Sequence, residues 1–217
     1  MIKLFHIDKV YPSNVTALAD VSLEIKKGDF AFITGSSGAG KTTLLKLIFG
    51  MEKPSRGEIV VKGVNLNRIR RSRIACLRRS IGFVFQDFKL LAHKTAFENV
   101  AFVLQIIGHS SRDIRKRVSN ALQMVGLEDR QNSFPLSMSG GEQQRVAIAR
   151  AIVNDPLILI ADEPTGNLDA YITSEIMNIF KNINARGTTV LFATHNRDLA
   201  IRYSTKVFTF DRGKRVN

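Results

Sequence analysis

Phe30-Ala31-Phe32-Ile33-Thr34-Gly35-Ser36-Ser37-Gly38-Ala39-Gly40-Lys41-Thr42-Thr43 is the stretch that decides the fold. Its first five residues are almost wholly apolar, as a strand buried on both faces requires. Residues 35–42 fit G-x-x-x-x-G-K-[ST], and from Lys41 to Phe49 the apolar residues fall at helical spacing. Strand, glycine-rich turn and helix in that order are the context in which the pattern carries chemistry. Gly35, Gly38 and Gly40 permit backbone conformations closed to other residues. Successive N–H groups of residues 35–43, those of Ser36, Ser37 and Ala39 among them, can then turn toward phosphate oxygens. The helix that follows adds its positive N-terminal dipole. Lys41 is placed to reach β- and γ-phosphates, and the Thr42 hydroxyl to ligate Mg²⁺.

A second apolar strand, Leu157-Ile158-Leu159-Ile160-Ala161, ends in Asp162 and Glu163. The period of two puts the acids on different faces at the strand's C-terminal end, where open α/β sheets bind ligands. Asp162 suits the hydrated Mg²⁺, and Glu163 suits the polarisation of a water aimed at the γ-phosphate.

Between these markers the chain alternates strand and helix signals. Residues 3–10, 21–25, 57–64, 81–85, 157–161, 188–193 and 206–210 read as strands, and 170–183 as a helix. Lys26-Lys27-Gly28-Asp29 has the turn chemistry of a hairpin or meander. Residues 68–79 hold six arginines and read as a short basic helix. From 95 to 131 the period turns helical, with Ile114, Val118, Leu122 and Val125 on one face and Ser110 or Ser111 as N-cap. The expected architecture is therefore α/β: a mostly parallel sheet, an antiparallel β part near the N-terminus and an inserted helical subdomain. We expect one domain over 1–217, with 1–86 and 137–217 as its core and 87–136 as the insertion.

Composition narrows the function classes. With 32 Lys plus Arg against 19 Asp plus Glu, the net charge is +13, which favours a polyanionic neighbour. The lone cysteine, Cys76, excludes an internal disulfide and a cysteine-rich zinc site. No apolar run approaches the roughly 18 residues of a membrane span, and the N-terminus lacks the apolar core of a secretion signal. A soluble chain is expected, held at any membrane by another protein.

Ser137-Met138-Ser139-Gly140-Gly141-Glu142-Gln143-Gln144-Arg145 opens another helix. It resembles the L-S-G-G-Q signature of ATP-binding-cassette ATPases, with Met138 for Leu and Glu142 for Gln. The resemblance extends over the chain. Tyr11 matches the aromatic that stacks on adenine. Gln86 matches the glutamine that touches Mg²⁺ and the attacking water. Asn167-Leu168-Asp169 matches a loop that crosses to a partner subunit, and His195 the histidine that contacts the γ-phosphate. The resemblance implies a P-loop ATP hydrolase of two subunits. Two ATP molecules would be sandwiched between the phosphate loop of one and Ser139, Gly140 and Gly141 of the other.

Four segments, 83–91, 98–102, 139–151 and 161–169, resemble the branch of that family that serves bacterial cell division. Its lipoprotein-releasing and macrolide-export branches are close alternatives. That likeness implies a membrane-protein partner and a peripheral place on the cytoplasmic side of the inner membrane, at the division site. The 68–79 arginines could rest there near anionic headgroups. A nucleic-acid cassette protein would be expected to carry a coiled-coil insertion, zinc modules or a second cassette, and no specific nucleic acid is expected.

Overall fold

The computed structural model describes all residues but Ser13, Asn167 and Asn217, and the side chain of Arg71 is also left undescribed. Two sheets organise the chain. Strands β1 (Ile2–Val10), β2 (Thr16–Ile25), β4 (Arg56–Val61) and β5 (Val64–Asn65) form an antiparallel sheet in the order β2-β1-β4-β5. The larger sheet contains β3 (Phe30–Gly35), β6 (Ile81–Val84), β7 (Ile158–Asp162), β8 (Thr189–Thr194), β9 (Lys206–Asp211) and β10 (Lys214–Arg215). Its order is β10-β9-β3-β8-β7-β6, with every pair parallel except β10–β9.

The helices are α1 (Lys41–Ile48), α2 (Arg71–Arg78), α3 (Ala96–Ile107), α4 (Ser111–Met124), α5 (Gly140–Ile152), α6 (Ala170–Ala185) and α7 (Arg197–Tyr203). Among the described residues, no helix is long and apolar enough to cross a membrane.

The alternation along β3 sorts two cores. Phe30 and Phe32 belong to one face, where Phe32 stacks on Phe192 of β8 at 4.8 Å and Phe180 of α6 meets Phe192 edge-on at 5.1 Å. The buried faces of α3, α4, α5 and α6 complete that layer. Ala31 and Ile33 belong to the other face, with α1 and the inner side of the antiparallel sheet. All six residues of β3 are buried.

Two expectations change. The turn at residues 26–29 does not make a hairpin: β2 pairs with β1, whereas β3 pairs with β8 and β9. Strand β3, buried on both faces, takes a parallel neighbour on each side, so the turn passes the chain from one sheet to the other. Strand β2 also begins at Thr16, five residues before the clean alternation at 21–25. Register shifts between Leu4 and Val10, with positive φ at His6 and Asp20, break the period there.

The helical region is capped as a sequence of polar residues would cap it. Thr95 and Glu98 form a reciprocal capping box on α3, Gly108 ends it at φ 91°, and Ser110 caps α4. Asn99, fully buried, bonds the backbone of Leu91, Lys94 and Thr95 through its amide. Asn99→Leu should therefore cost about 2–4 kcal/mol by orphaning those groups, read as a lower denaturation midpoint with an unchanged slope.

Candidate functional site

The phosphate loop is built by contacts that only glycine permits. Gly35 stands at φ 151°, and a Cβ there would meet the Phe210 carbonyl oxygen at 2.3 Å. Gly40 caps α1 at φ 98°, where a Cβ would meet the Ala17 carbonyl oxygen at 2.5 Å. Between them the Ala39 N–H donates to the Ser36 carbonyl at 3.2 Å, and the Gly213 N–H donates to the Ala39 carbonyl at 3.2 Å. Ser36, Ser37 and Gly38 form the exposed rim of the turn.

Lys41, only 4% exposed, is held by three oxygens. Its Nζ donates to the carbonyls of Gly35 at 2.8 Å and Ser36 at 2.9 Å, and pairs with Glu163 Oε1 at 3.2 Å. The other oxygen of Glu163, Oε2, lies 2.7 Å from His195 Nδ1. A bond donated by Nδ1 leaves Nε2 as the unprotonated nitrogen of the neutral ring. Glu163 itself sits at φ 46°, an uncommon backbone conformation for a non-glycine residue and a form of strain that clusters at functional sites.

Thr42 Oγ1 donates to Asp162 Oδ1 at 3.2 Å. Burial raises the Asp162 carboxyl above its ordinary pKa, with the Thr42 bond and the Lys41 charge opposing. The hydroxyl and carboxylate converge as a small set of hard oxygen donors. Completed by phosphate oxygens and water, that set fits Mg²⁺.

The parallel register explains why residues far apart in sequence meet. Asp162 pairs with Ala193 across β7 and β8, which sets Glu163 beside the end of β8 and His195. Thr34 pairs with Thr194, which sets the phosphate loop at the same edge. Val84 pairs with Ala161, so Gln86 leaves β6 at that edge one strand further out. Gln86 is exposed, and no hydrogen bond ties its amide among the described residues.

Tyr11 lies on the α1 side. Its hydroxyl donates to Glu52 Oε1 at 3.0 Å and lies 3.3 Å from Thr43 Oγ1.

Ser139, Gly140 and Gly141 stand apart from this cluster. Ser139 caps α5, and Glu142 closes the box, with the Ser139 N–H donating to Oε2 at 2.8 Å. That bond, with Arg130 at 3.1 Å, holds the Glu142 carboxyl below its ordinary pKa. Glu in place of Gln thus keeps the cap and gains an ion pair. Ser139 and Gly140 are exposed, and Gly140 and Gly141 lie against Leu168 and Ile172. No hydrogen bond joins them to residues 35–43 among the described residues. Asp169 caps α6 through its side chain, and Asn167 lies outside the described residues.

Arg150 on α5 was not legible as a site residue. Its guanidinium donates to the carbonyls of Phe88 and Lys89, both at positive φ, and so clamps the loop that follows Gln86. Burial lowers its pKa. A cation inside the apolar run from Val146 to Ile152 was the available signal. Phe88 and Leu90 pack half-buried against the core, while Phe85 and Lys89 line an adjoining groove with Phe49, Val103, Ile107 and Arg79.

A profile described as "ABC transporter" matches residues 18–166. The protein "Cell division ATP-binding protein FtsE" of Escherichia coli is 49% identical over 213 residues, covering 98% of this chain and 96% of that one. Its namesake in Streptococcus pneumoniae serotype 2 is 46% identical over 216 residues, covering 100% and 94%. Among solved structures, the dimeric bacterial ABC transporter cassette MJ0796 superposes at a TM-score of 0.92 with 39% identity, covering 100% of this chain and 97% of that one. A post-hydrolysis dimer of the same cassette, bound to ADP and Pi, also superposes at 0.92, with 38% identity and the same coverage.

Proposed function

Since the chain belongs to the ABC transporter family, as an ATP hydrolase of the FtsE cell-division type, we propose that it hydrolyses MgATP with the residues gathered at its sheet edge. The observation that carries this reading is the linked set Lys41–Glu163–His195 beside Thr42–Asp162. Lys41 and the N–H groups of residues 35–43 hold the phosphates. Glu163 accepts the proton of the attacking water, and His195, oriented through Nδ1, contacts the γ-phosphate. Thr42, Asp162 and Gln86 would hold Mg²⁺, which when bound neutralises charge on the β- and γ-phosphates. Tyr11 offers its ring to the adenine. Ser139, Gly140 and Gly141, exposed at the start of α5, serve the nucleotide of a second copy. The site is then completed in a dimer with two sandwiched ATP molecules.

The proposed membrane partner is an FtsX-like protein, with the chain peripheral on the cytoplasmic side of the inner membrane at the division site. Its cycle would signal to cell-wall hydrolases rather than pump a solute. We take residues 87–136 as the inserted part that faces this partner. The groove between α3 and the core suits a short amphipathic segment: Phe49, Phe85, Val103 and Ile107 are apolar, and Arg79 and Lys89 sit among them. Arg150 and the loop after Gln86 form its wall, so pressure in the groove reaches the nucleotide site. Phe88 and Leu90 pack against the core and do not line the groove.

Ile107→Glu tests the reading. The variant should fold and bind ATP as the parent does, fail to co-purify with an FtsX-like partner and leave cells filamentous. A stable variant that still captures the partner and supports division would refute docking in this groove.

A further inference from the structure

The ring of Tyr11 is more tightly governed than its position at the end of a bulged strand requires. The adjoining turn fixes its backbone, the Tyr11 N–H donating to the Val15 carbonyl at 3.0 Å. A turn does not fix side-chain torsions, and a free phenol ring would lose rotamer freedom on stacking. Here the hydroxyl is anchored by Glu52 at 3.0 Å. Glu52 is anchored in turn: its Oε2 pairs with Lys9 Nζ at 3.1 Å, with the two side chains only 23% and 15% exposed. Lys9 also donates to the Lys53 carbonyl at 3.0 Å and lies 4.9 Å from the centroid of the Tyr11 ring, over one face. One edge and one face of the half-buried ring are thus occupied, so a planar group could stack only on the opposite face.

We infer that Glu52 is a positioning residue for nucleobase recognition, fixing the Tyr11 ring before the nucleotide arrives, with Lys9 fixing Glu52. This rests on the reading of Tyr11 as the adenine platform. The physical gain is pre-organisation: a ring already held in its stacking orientation has less freedom left to lose when the base binds. The carboxylate acts only through the ring and has no part in phosphate chemistry. Its loss should weaken binding of any ligand that carries a base and spare ligands that lack one.

The test uses the full chain, with ATP and inorganic tripolyphosphate as ligands, titrated calorimetrically with the parent and with Tyr11→Ala, Glu52→Ala, Glu52→Gln and the double alanine variant. Tyr11→Ala should weaken ATP about tenfold. Glu52→Ala should weaken it about fivefold, raising the KM for ATP while kcat stays within about twofold. The double variant should be no worse than Tyr11→Ala alone. Glu52→Gln keeps an acceptor for the phenol and should recover most of the loss. Tripolyphosphate affinity should not change in any variant.

If Tyr11→Ala leaves ATP affinity intact, the adenine platform itself is wrong. If Tyr11→Ala weakens ATP but Glu52→Ala does not, or the two losses add in full, the platform stands and the role of Glu52 is overturned. A parallel fall in tripolyphosphate binding would show that Glu52 supports the fold of the loop, and would also overturn it.

Discussion

Glu163→Gln should bind ATP at least as well as the parent and turn it over about 10²- to 10⁴-fold more slowly. The substitution keeps the size of the side chain and an oxygen for His195, but removes the carboxylate that can take a proton from water. It also removes the negative charge that now sits 3.2 Å from Lys41, leaving the ammonium only the Gly35 and Ser36 carbonyls to share with phosphate. The ATP-bound dimer should accumulate. Steady-state hydrolysis beside light scattering measures both effects. Turnover near the parent's would transfer the proton-accepting role to His195, the only other titratable group bonded to Glu163 besides Lys41 among the described residues.

Lys41→Ala should lower ATP affinity by about 10- to 100-fold, the range of a lost charge-assisted hydrogen bond. Loss of the cation is only part of the effect. Glu163 would stand close to the phosphate oxygens with no positive partner on Oε1, so repulsion adds to the lost attraction. The combination Lys41→Ala with Glu163→Gln should accordingly recover part of the binding that Lys41→Ala loses. Titration of the four proteins with ATP checks this, and full additivity would show that the ion pair has no bearing on phosphate binding. Arginine at 41 should not substitute, because the side chain is 96% enclosed and the guanidinium is larger than the ammonium it would replace.

Much of this site could be read from the chain because strand ends and glycine turns carry short, local signatures. Residues 35–43 were legible because only glycine tolerates the approach of Phe210 and Ala17 to the loop. Asp162 and Glu163 were legible because an apolar run ends in them. What local patterns cannot encode is pairing over distance. The residues at 26–29 look like any hairpin turn, and only the pairing of β3 with β8 and β9 shows that they leave one sheet for another. The Glu163–His195 bond depends on the β7–β8 register, and the Arg150 clamp on the packing of α5 against a loop some sixty residues earlier. Tyr11 was legible as an aromatic, whereas its support from Glu52 spans 41 positions and arises only when the chain is folded.

The location of β3 has a consequence for the birth of the protein. The strand that leads into the phosphate loop is flanked by β8 and β9, and its first amide bonds Thr205, 175 residues onward. The Gly213 amide, further still, holds the Ala39 carbonyl. A chain leaving the ribosome therefore carries an early, intensely apolar β3 that cannot be sheathed until nearly the whole polypeptide has emerged. Synthesis at about 5–20 residues per second keeps that segment waiting for roughly ten seconds or more. Nascent chains halted before β9 should be unable to retain nucleotide and should be avid clients of holding chaperones. The ability to bind ATP then marks a finished molecule.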